Sequence, residues 1–504
     1  MISVAQYDLF EVTLPKEAAP GQPEALFTCG KESVRIRGFA ENDAQGTVRF
    51  MPMTQGVWHY AVSWGDASRE GDFRCVPAAP GVHGPVRTRG MHFFYDDGTR
   101  FVPVGTTCYA WIHQLPEIIE QTLETLRTSP FNKLRMCVFP KSMPYNNNDP
   151  AFYPFEKKAD GTWDVTRPDQ RYWAHLDRCV DALASMGIEA DIILFHPYDR
   201  WGFSTMPQAD NLAYLDYAVR RLAAHRNVWW ALSNEYEFSF AKKISDWDQF
   251  GELIAAQDPY KHLVSAHNWI TPYPKRDWLT HVSYQGGDPR EAFRIRDEYR
   301  LPTIVDELGY EGDIEFGWGN LSGFEFMNRV WTATAFGCYG AHGETFHRDD
   351  EVLWWAKGGR LYGEAPARLR FLREFLESLP GPIEPACTEA VRDPNGSASS
   401  EGQKQLIRMI WEMDSDKGRR QIMKEMTKPI GRHPDFRLIY LERSAQSFLS
   451  LELPADGRYK VEIIDMWGMT RRLAVSGVSG SVRVGLPGRE GTAVLVTRLE
   501  GEAL

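Results

Sequence analysis

Hydrophobic and polar positions change rhythm twice along the 504-residue chain. Up to about residue 85 they alternate, as in "SVRIRGFA" and "GTVRFMPMTQGVWHYAVSWG", so that each extended segment has one apolar and one polar face. Such short strands, separated by turn residues and without a long amphipathic helix, predict a small β-sandwich over residues 1–85. It ends in "VPAAPGVHGP", a stiff proline- and glycine-rich linker. From about Gly90 the pattern becomes one of apolar strands separated by helices. Strands are predicted over 101–106, 132–138, 188–195, 228–234, 263–267, 280–284, 303–307 and 336–342. Between them, segments such as "PEIIEQTLETLRT", "RYWAHLDRCVDALASMG", "NLAYLDYAVRRLAAH" and "GFEFMNRVWTATAFG" repeat apolar residues at intervals of three and four. Eight such units over residues 86–382 predict an α/β chain built on a (β/α)8 TIM barrel. An open doubly wound sheet is the rival, but "VGTTCYAWIHQ" follows the first strand where a glycine-rich phosphate loop would stand. The helical series ends at "PARLRFLREFLESLP", before the stop Pro380-Gly381-Pro382. Alternation then returns in "QLIRMIWEM", "DFRLIYLER", "YKVEIIDMWG", "GSVRVGLPG" and "GTAVLVTRL", predicting a second β-sandwich over 383–504.

Composition narrows the partners. The chain carries 57 Lys and Arg against 68 Asp and Glu, a formal net charge of -11. It therefore lacks the basic surface that nucleic acid or an anionic membrane rewards. Aromatic residues make up 13%, with 17 tryptophans, which suits a large core and equally suits surfaces that stack on the flat faces of sugars. The opening "MISVAQYDLFEV" has no basic segment leading into an apolar one, and no later run reaches about 18 apolar residues. We therefore expect a cytoplasmic protein without membrane or nucleic-acid partners. Seven scattered cysteines (Cys29, Cys75, Cys108, Cys137, Cys179, Cys338 and Cys387), never spaced as C-x-x-C, predict reduced thiols.

A barrel of this kind carries its chemistry at the C-terminal ends of its strands. Two of those ends hold acids. "VWWALSNEYE" stops an apolar strand on Ser233-Asn234-Glu235, and "LPTIVDELGYEG" closes the seventh strand on Asp306-Glu307. Successive strand side chains point to opposite faces, so only one of the latter pair can face the pocket. We take it to be Glu307. Two carboxylates at such a mouth are what glycoside cleavage needs, one to protonate the leaving oxygen and one to trap the oxocarbenium-like centre about 5 Å away. Either acid alone is equally well a structural ion pair or cap.

With these residues in place, the chain resembles the large clan of retaining (β/α)8 glycoside hydrolases whose acid/base follows an asparagine at strand four and whose nucleophile ends strand seven. A short immunoglobulin-like N-terminal domain ("VRFMPMTQGVWHY"), a first barrel strand in "DGTRFVPVGTTCYAWIHQ" and a C-terminal β-domain make it similar to the apiosidase-like group. The resemblance implies that Glu235 is the acid/base, which must keep a proton near neutral pH, and that Glu307 is the nucleophile, which must stay ionised. Arg135, in "FNKLRMCVFP", would hold Glu307 ionised, or else forms a core ion pair. Asn234 would bind the sugar hydroxyl beside the reacting carbon, Tyr284 would donate to the nucleophile, and His196 would lie near the sugar.

Other residues carry readings in both directions. Trp111, Trp201, Trp318, Trp354 and Trp355 fall in predicted βα loops, where an indole stacks on a sugar or simply packs. Glu344, in "AHGETF", is a third acid at the rim, a candidate for binding substrate hydroxyls. His113, His196, His267 and His342 near strand ends raise a metal-dependent hydrolase as a rival, though no H-x-H or H-E-x-x-H spacing supports one. A second rival is a noncatalytic carbohydrate-binding protein on the same scaffold. The expectation is a retaining glycoside hydrolase without cofactor. Its partner is carbohydrate, cleaved by exo action on short oligosaccharides or glycosides, including furanosides such as apiosides or arabinofuranosides. Self-association into a homo-oligomer is left open.

Overall fold

A computed structural model of the chain describes residues 1–15, 21–42, 45–386 and 429–499, with the single positions Gln405, Met409 and Glu412. It divides into two compact units, Met1–Ser283 with His347–Leu361, and Tyr284–Phe346 with Tyr362–Leu504.

The first unit opens with two facing sheets. One runs in the order Ile2–Ala5, Ala67–Val76, Gly56–Trp64, Glu24–Cys29, Glu32–Arg37, the other Phe10–Pro15, Gln45–Phe50, Phe39–Asn42. Alternation turns the aromatic residues inward, and they join the sheets. Phe27 stacks on Phe50 with centroids 4.0 Å apart, and Phe10 on Phe73 at 4.2 Å. Arg49, on the strand Gln45–Phe50, points instead toward helix α2 (Gln170–Ser185) and reaches Asp177 through two hydrogen bonds of 3.0 and 2.8 Å.

Five parallel strands follow in chain order within one sheet: β1 (Gly105–Thr107), β2 (Lys133–Cys137), β3 (Glu189–Phe195), β4 (Val228–Ser233) and β5 (Val264–Ser265). Every residue of these strands is buried, as near-continuous apolar sequence requires when both faces are covered. The first predicted strand, 101–106, is split. Arg100–Phe101 pairs instead with His92–Tyr95 in a small antiparallel sheet, because the alternation of 86–101 suits a hairpin. Helix α1 (Pro116–Thr128) starts on a proline, whose missing N–H costs nothing at that position. Helix α2 is capped by the Asp169 carboxylate, which accepts the Arg171 N–H. Helices α3 (Gln208–Leu222) and α4 (Ile244–Gln257) complete the layer.

A three-stranded sheet is formed by β6 (Val282–Gln285), whose last two residues belong to the second unit, β7 (Thr303–Glu307) and β8 (Tyr339–Gly340), and helices α5 (Pro289–Tyr299), α6 (Gly323–Ala335) and α7 (Ala365–Glu377) belong to that unit. No sheet among the described residues closes on itself. The strands expected for a barrel thus follow one another in order within two separate sheets of a mixed α/β fold, without a continuous ladder around them. The physical reason lies in length: β1, β5 and β8 have only two or three residues each, too few for continuous ladders.

A six-stranded sheet then packs with the two-stranded antiparallel sheet Phe448–Leu453/Gly480–Gly485 around Leu451, Leu453, Val461, Ile463, Val484, Val494 and Val496. The expected strand "QLIRMIWEM" lies outside the described residues except at Gln405, Met409 and Glu412, which are helical and exposed. Six cysteines are free thiols, and Cys387 lies outside the described residues. Among the described residues, no helix is long and apolar enough to cross a membrane.

Candidate active site

The abrupt end of β4 has a backbone cause. Glu235 adopts φ +47° and ψ +62°, a left-handed conformation that costs a residue with a Cβ about 1–2 kcal/mol. It turns the chain out of the strand into the short 3-10 segment Tyr236–Phe238. Two contacts to His267, beyond the end of β5, compensate. The Glu235 N–H donates to His267 Nδ1 at 3.3 Å, and the Tyr236 N–H to the His267 carbonyl oxygen at 3.0 Å. An accepting Nδ1 places the imidazole hydrogen on Nε2.

The Glu235 side chain, only 6% exposed, is held by polar neighbours. Oε2 accepts the Tyr198 hydroxyl and the Asn234 amide, the latter at 3.2 Å. Asn234 Oδ1 in turn accepts the Tyr109 hydroxyl at 2.8 Å and the Arg135 guanidinium at 3.2 Å, so its NH2 group is turned toward Glu235. Arg135 also lies 3.8 Å from Asp191, which pairs with Lys133 at 2.6 Å, all three fully buried within the sheet. The ammonium of buried Lys141 sits 3.3 Å from the centre of the Tyr109 ring and 4.5 Å from that of Tyr198, a cation held by two aromatic faces. Residues on or just beyond all five strands thus surround Glu235, with Tyr198 and Asn234 touching its carboxylate and His267 its backbone.

Other sequence candidates occupy different surroundings. His196 hydrogen-bonds the Phe139 carbonyl at 3.1 Å, and burial, aided by Lys141, pushes its pKa down to about 3. His113 likewise bonds the Cys137 carbonyl at 3.3 Å and is pushed to about 3 by burial. Both are neutral imidazoles in the core, and His267 is committed to Glu235. Trp111, Trp354 and Trp355 do not form open sugar-stacking walls, since each is at most 3% exposed. Trp111 donates to Met136 Sδ, Trp354 donates to Thr106 Oγ1 at 2.8 Å, and Trp355 packs edge-on against Tyr109. Loop position alone did not distinguish packing from display. Trp201 remains partly open, its Nε1 donating to Asp149 at 2.8 Å.

In the second unit, β7 is buried through Asp306 and opens at Glu307, whose carbonyl accepts the Gly286 N–H at 2.9 Å. Trp318 is 40% exposed and stacks flat on Phe316 at 5.5 Å. Tyr284, on β6, is buried. Its hydroxyl sits over Gly286, and burial, reinforced by Glu291, raises its pKa to about 12.

Glu344 is not a rim acid. It is 1% exposed and its two oxygens accept the N–H groups of Tyr362 and Gly363, at 2.6 and 2.9 Å. Its partner across the strand pair, Glu311, accepts those of Glu364 and Ala365 at 2.8 and 2.9 Å. Two buried carboxylates thus hold the four residues that lead into α7, where the helix N-terminus favours negative charge. Together with His342 they form a group whose ligand atoms lie within 4.8 Å of one another and could hold a cation. Gly363 allows this approach, since a Cβ there would fall 2.3 Å from Glu311 Oε2.

Burial raises Glu344 to about 7 against an ordinary 4.5, and Glu311 moves upward for the same reason. The folded chain therefore keeps a proton that the unfolded chain releases. The associated stability is complete below pH 4.5 and is lost as pH rises through about 7. Melting in the presence of a chelator should show a loss on the order of 3 kcal/mol between pH 5 and 8, and Glu344→Gln, which cannot titrate, should flatten the profile. An unchanged slope in that variant would assign the effect elsewhere.

Tyr109, Lys141 and Tyr198 are not singled out by the sequence, and His267 is singled out there only as a possible metal ligand. Each stands within four residues of a strand end, in "TCYAWIHQ", "FPKSMPY", "FHPYDR" and "SAHNW". Position was the available signal, but tyrosine and lysine carried no motif to single them out.

The middle of the chain, residues 88–380, matches the family model described as Apiosidase-like, catalytic domain, and residues 427–497 match a domain of unknown function, DUF5605. Among solved structures, a "putative glycoside hydrolase" from Bacteroides vulgatus ATCC 8482 is 32% identical over 99% of this chain and 100% of its own, with a TM-score of 0.86. A glycoside hydrolase family 5 structure from the same organism is 14% identical over 82% of this chain and 94% of its own, with a TM-score of 0.59, a likeness in fold alone. No curated protein matches.

Proposed function

The chain belongs to the family of Apiosidase-like catalytic domains and is a glycosidase, and from that premise we propose that it works by double displacement with retention of configuration. Glu307 attacks the anomeric carbon as Glu235 gives its proton to the leaving oxygen. Glu235 then takes a proton from water, which displaces Glu307 and releases the sugar. The frame is a closed (β/α)8 barrel over 86–382 between an immunoglobulin-like domain, 1–85, and a C-terminal β-sandwich, 383–504. The substrates are short glycosides cleaved from their ends in the cytoplasm, with furanosides such as apiosides or arabinofuranosides the first to try.

The observation that carries this reading is the setting of Glu235. A buried acid leaves a parallel strand through a strained residue, and Tyr198 and Asn234 fix its orientation. Such placement has a cost in stability, and a packing role does not require it. The Asn234 amide, itself oriented by Tyr109 and Arg135, suits a group that must meet a sugar hydroxyl. Azide tests the role of Glu235 directly. Glu235→Ala should regain turnover on an aryl glycoside when azide is added and should yield a glycosyl azide with the substrate's own anomeric configuration by NMR. An inverted azide would overturn the double displacement.

A further inference from the structure

We propose that Phe238, Phe240, Trp269 and Ile270 form the binding surface for the leaving group of the glycoside, a ring that presents a flat C–H or aromatic face. The inference rests on Glu235 being the acid/base. Phe240 is 88% exposed, Ile270 64% and Trp269 43%, an apolar group in a chain whose other aromatic rings are mostly buried. Phe238 lies against Trp269 with ring centroids 4.4 Å apart, and Phe240 stands edge-on to Phe238 at 6.2 Å.

The group is fixed to Glu235 from both sides. Phe238 closes the turn that Glu235 begins, its N–H donating to the Glu235 carbonyl at 3.0 Å. Trp269 stands two residues beyond His267, which accepts the Glu235 N–H. Glu237 then locks the second loop, its carboxylate accepting the successive N–H groups of Trp269, Ile270 and Thr271 at 2.6, 3.0 and 2.7 Å. An exposed indole is thus held on a rigid backbone. The acid delivers its proton to the leaving oxygen, so the atoms attached to that oxygen lie on the acid's side of the bond. The aromatic faces here match that part of the substrate, and a ring stacked on them gains contact area without a charge.

The test compares kcat/KM of the wild type, Trp269→Ala and Phe240→Ala on the 4-nitrophenyl glycoside and on the glycosyl fluoride of the same sugar. Fluoride has no ring to stack. Each variant should lose about 10-fold on the aryl substrate and stay within about 2-fold on the fluoride, with an unchanged melting temperature. A disaccharide arm distinguishes a sugar leaving group from an aromatic one. Binding is read separately from turnover in the inactive Glu307→Gln background, by quenching of tryptophan emission as 4-nitrophenyl glycosides are titrated in with and without Phe240→Ala; weaker quenching in the double variant supports the proposal, and equal quenching counts against it. Equal losses on both substrates, no loss on either, or a dimer that falls to monomer without any leaving-group dependence would overturn it. Glu235→Ala in the same assay separates the premise: full activity there removes the acid/base assignment, whatever the aromatic variants do.

Discussion

Glu307→Gln should lower kcat by on the order of 10⁴-fold or more while the protein stays folded. The amide keeps the shape of the side chain but cannot form the ester to the sugar, so the first displacement has no nucleophile. Glu307 is only partly buried at the end of β7, and glutamine keeps its volume. The melting temperature should accordingly move little. Circular dichroism and turnover measured on the same preparation check both halves, and activity within 10-fold of wild type would remove Glu307 from the reaction.

The largest effect on stability should come from Asp177. This helix residue accepts Arg49 through both oxygens and Arg221 at 2.7 Å, and His225 stands 3.8 Å away. Burial pushes its carboxyl upward, but hydrogen bonds from His225 and Arg49 and the charges of Arg49 and Arg221 hold it well below the usual carboxylate range. Asp177→Ala leaves two guanidinium groups facing each other in the interior and should cost about 3–5 kcal/mol. By contrast Glu298→Ala, which removes a surface partner of Arg294, should stay within about 1 kcal/mol. Since the native carboxyl is depressed, the stability that Asp177 supplies is present above its ordinary value of 3.8 and is lost as pH falls below it. Thermal melts at pH 7 and in acid check both statements. A loss equal to that of Glu298→Ala would mean that the network contributes nothing beyond a surface pair.

What the residue pattern makes legible follows from what that pattern encodes. The bounds of strand β7 and of α1 agree with the sequence to the residue, because the β-branched run Thr303-Ile304-Val305 after Pro302 and a strong three-four repeat each admit one reading. The split at 101–106 escaped because Phe101 satisfies a hairpin as well as a barrel strand. At the candidate site, Glu235 stood out because an acid after "VWWALS" is chemically conspicuous. Tyr198 and Tyr109 did not, since a tyrosine near a strand end looks the same whether it packs or orients a carboxylate. For Trp354 and Trp355 the sequence leaves stacking on a sugar and packing side by side. Exposure belongs to the folded surface, and a tryptophan's sequence neighbours do not report it. Glu344 was assigned by position alone, whereas its partners, the N–H groups of 362 and 363, lie in a loop that no local pattern links to it.

The left-handed turn at Glu235 also limits which amino acids mutation can install there. Glycine, asparagine and aspartate would relax the torsion, yet none extends as far as glutamate, whereas glutamine keeps the length and forfeits the proton. Reach and backbone comfort pull in opposite directions at that codon, so a lineage that abandons catalysis should drift first toward the smaller residues and gain folding stability as it does.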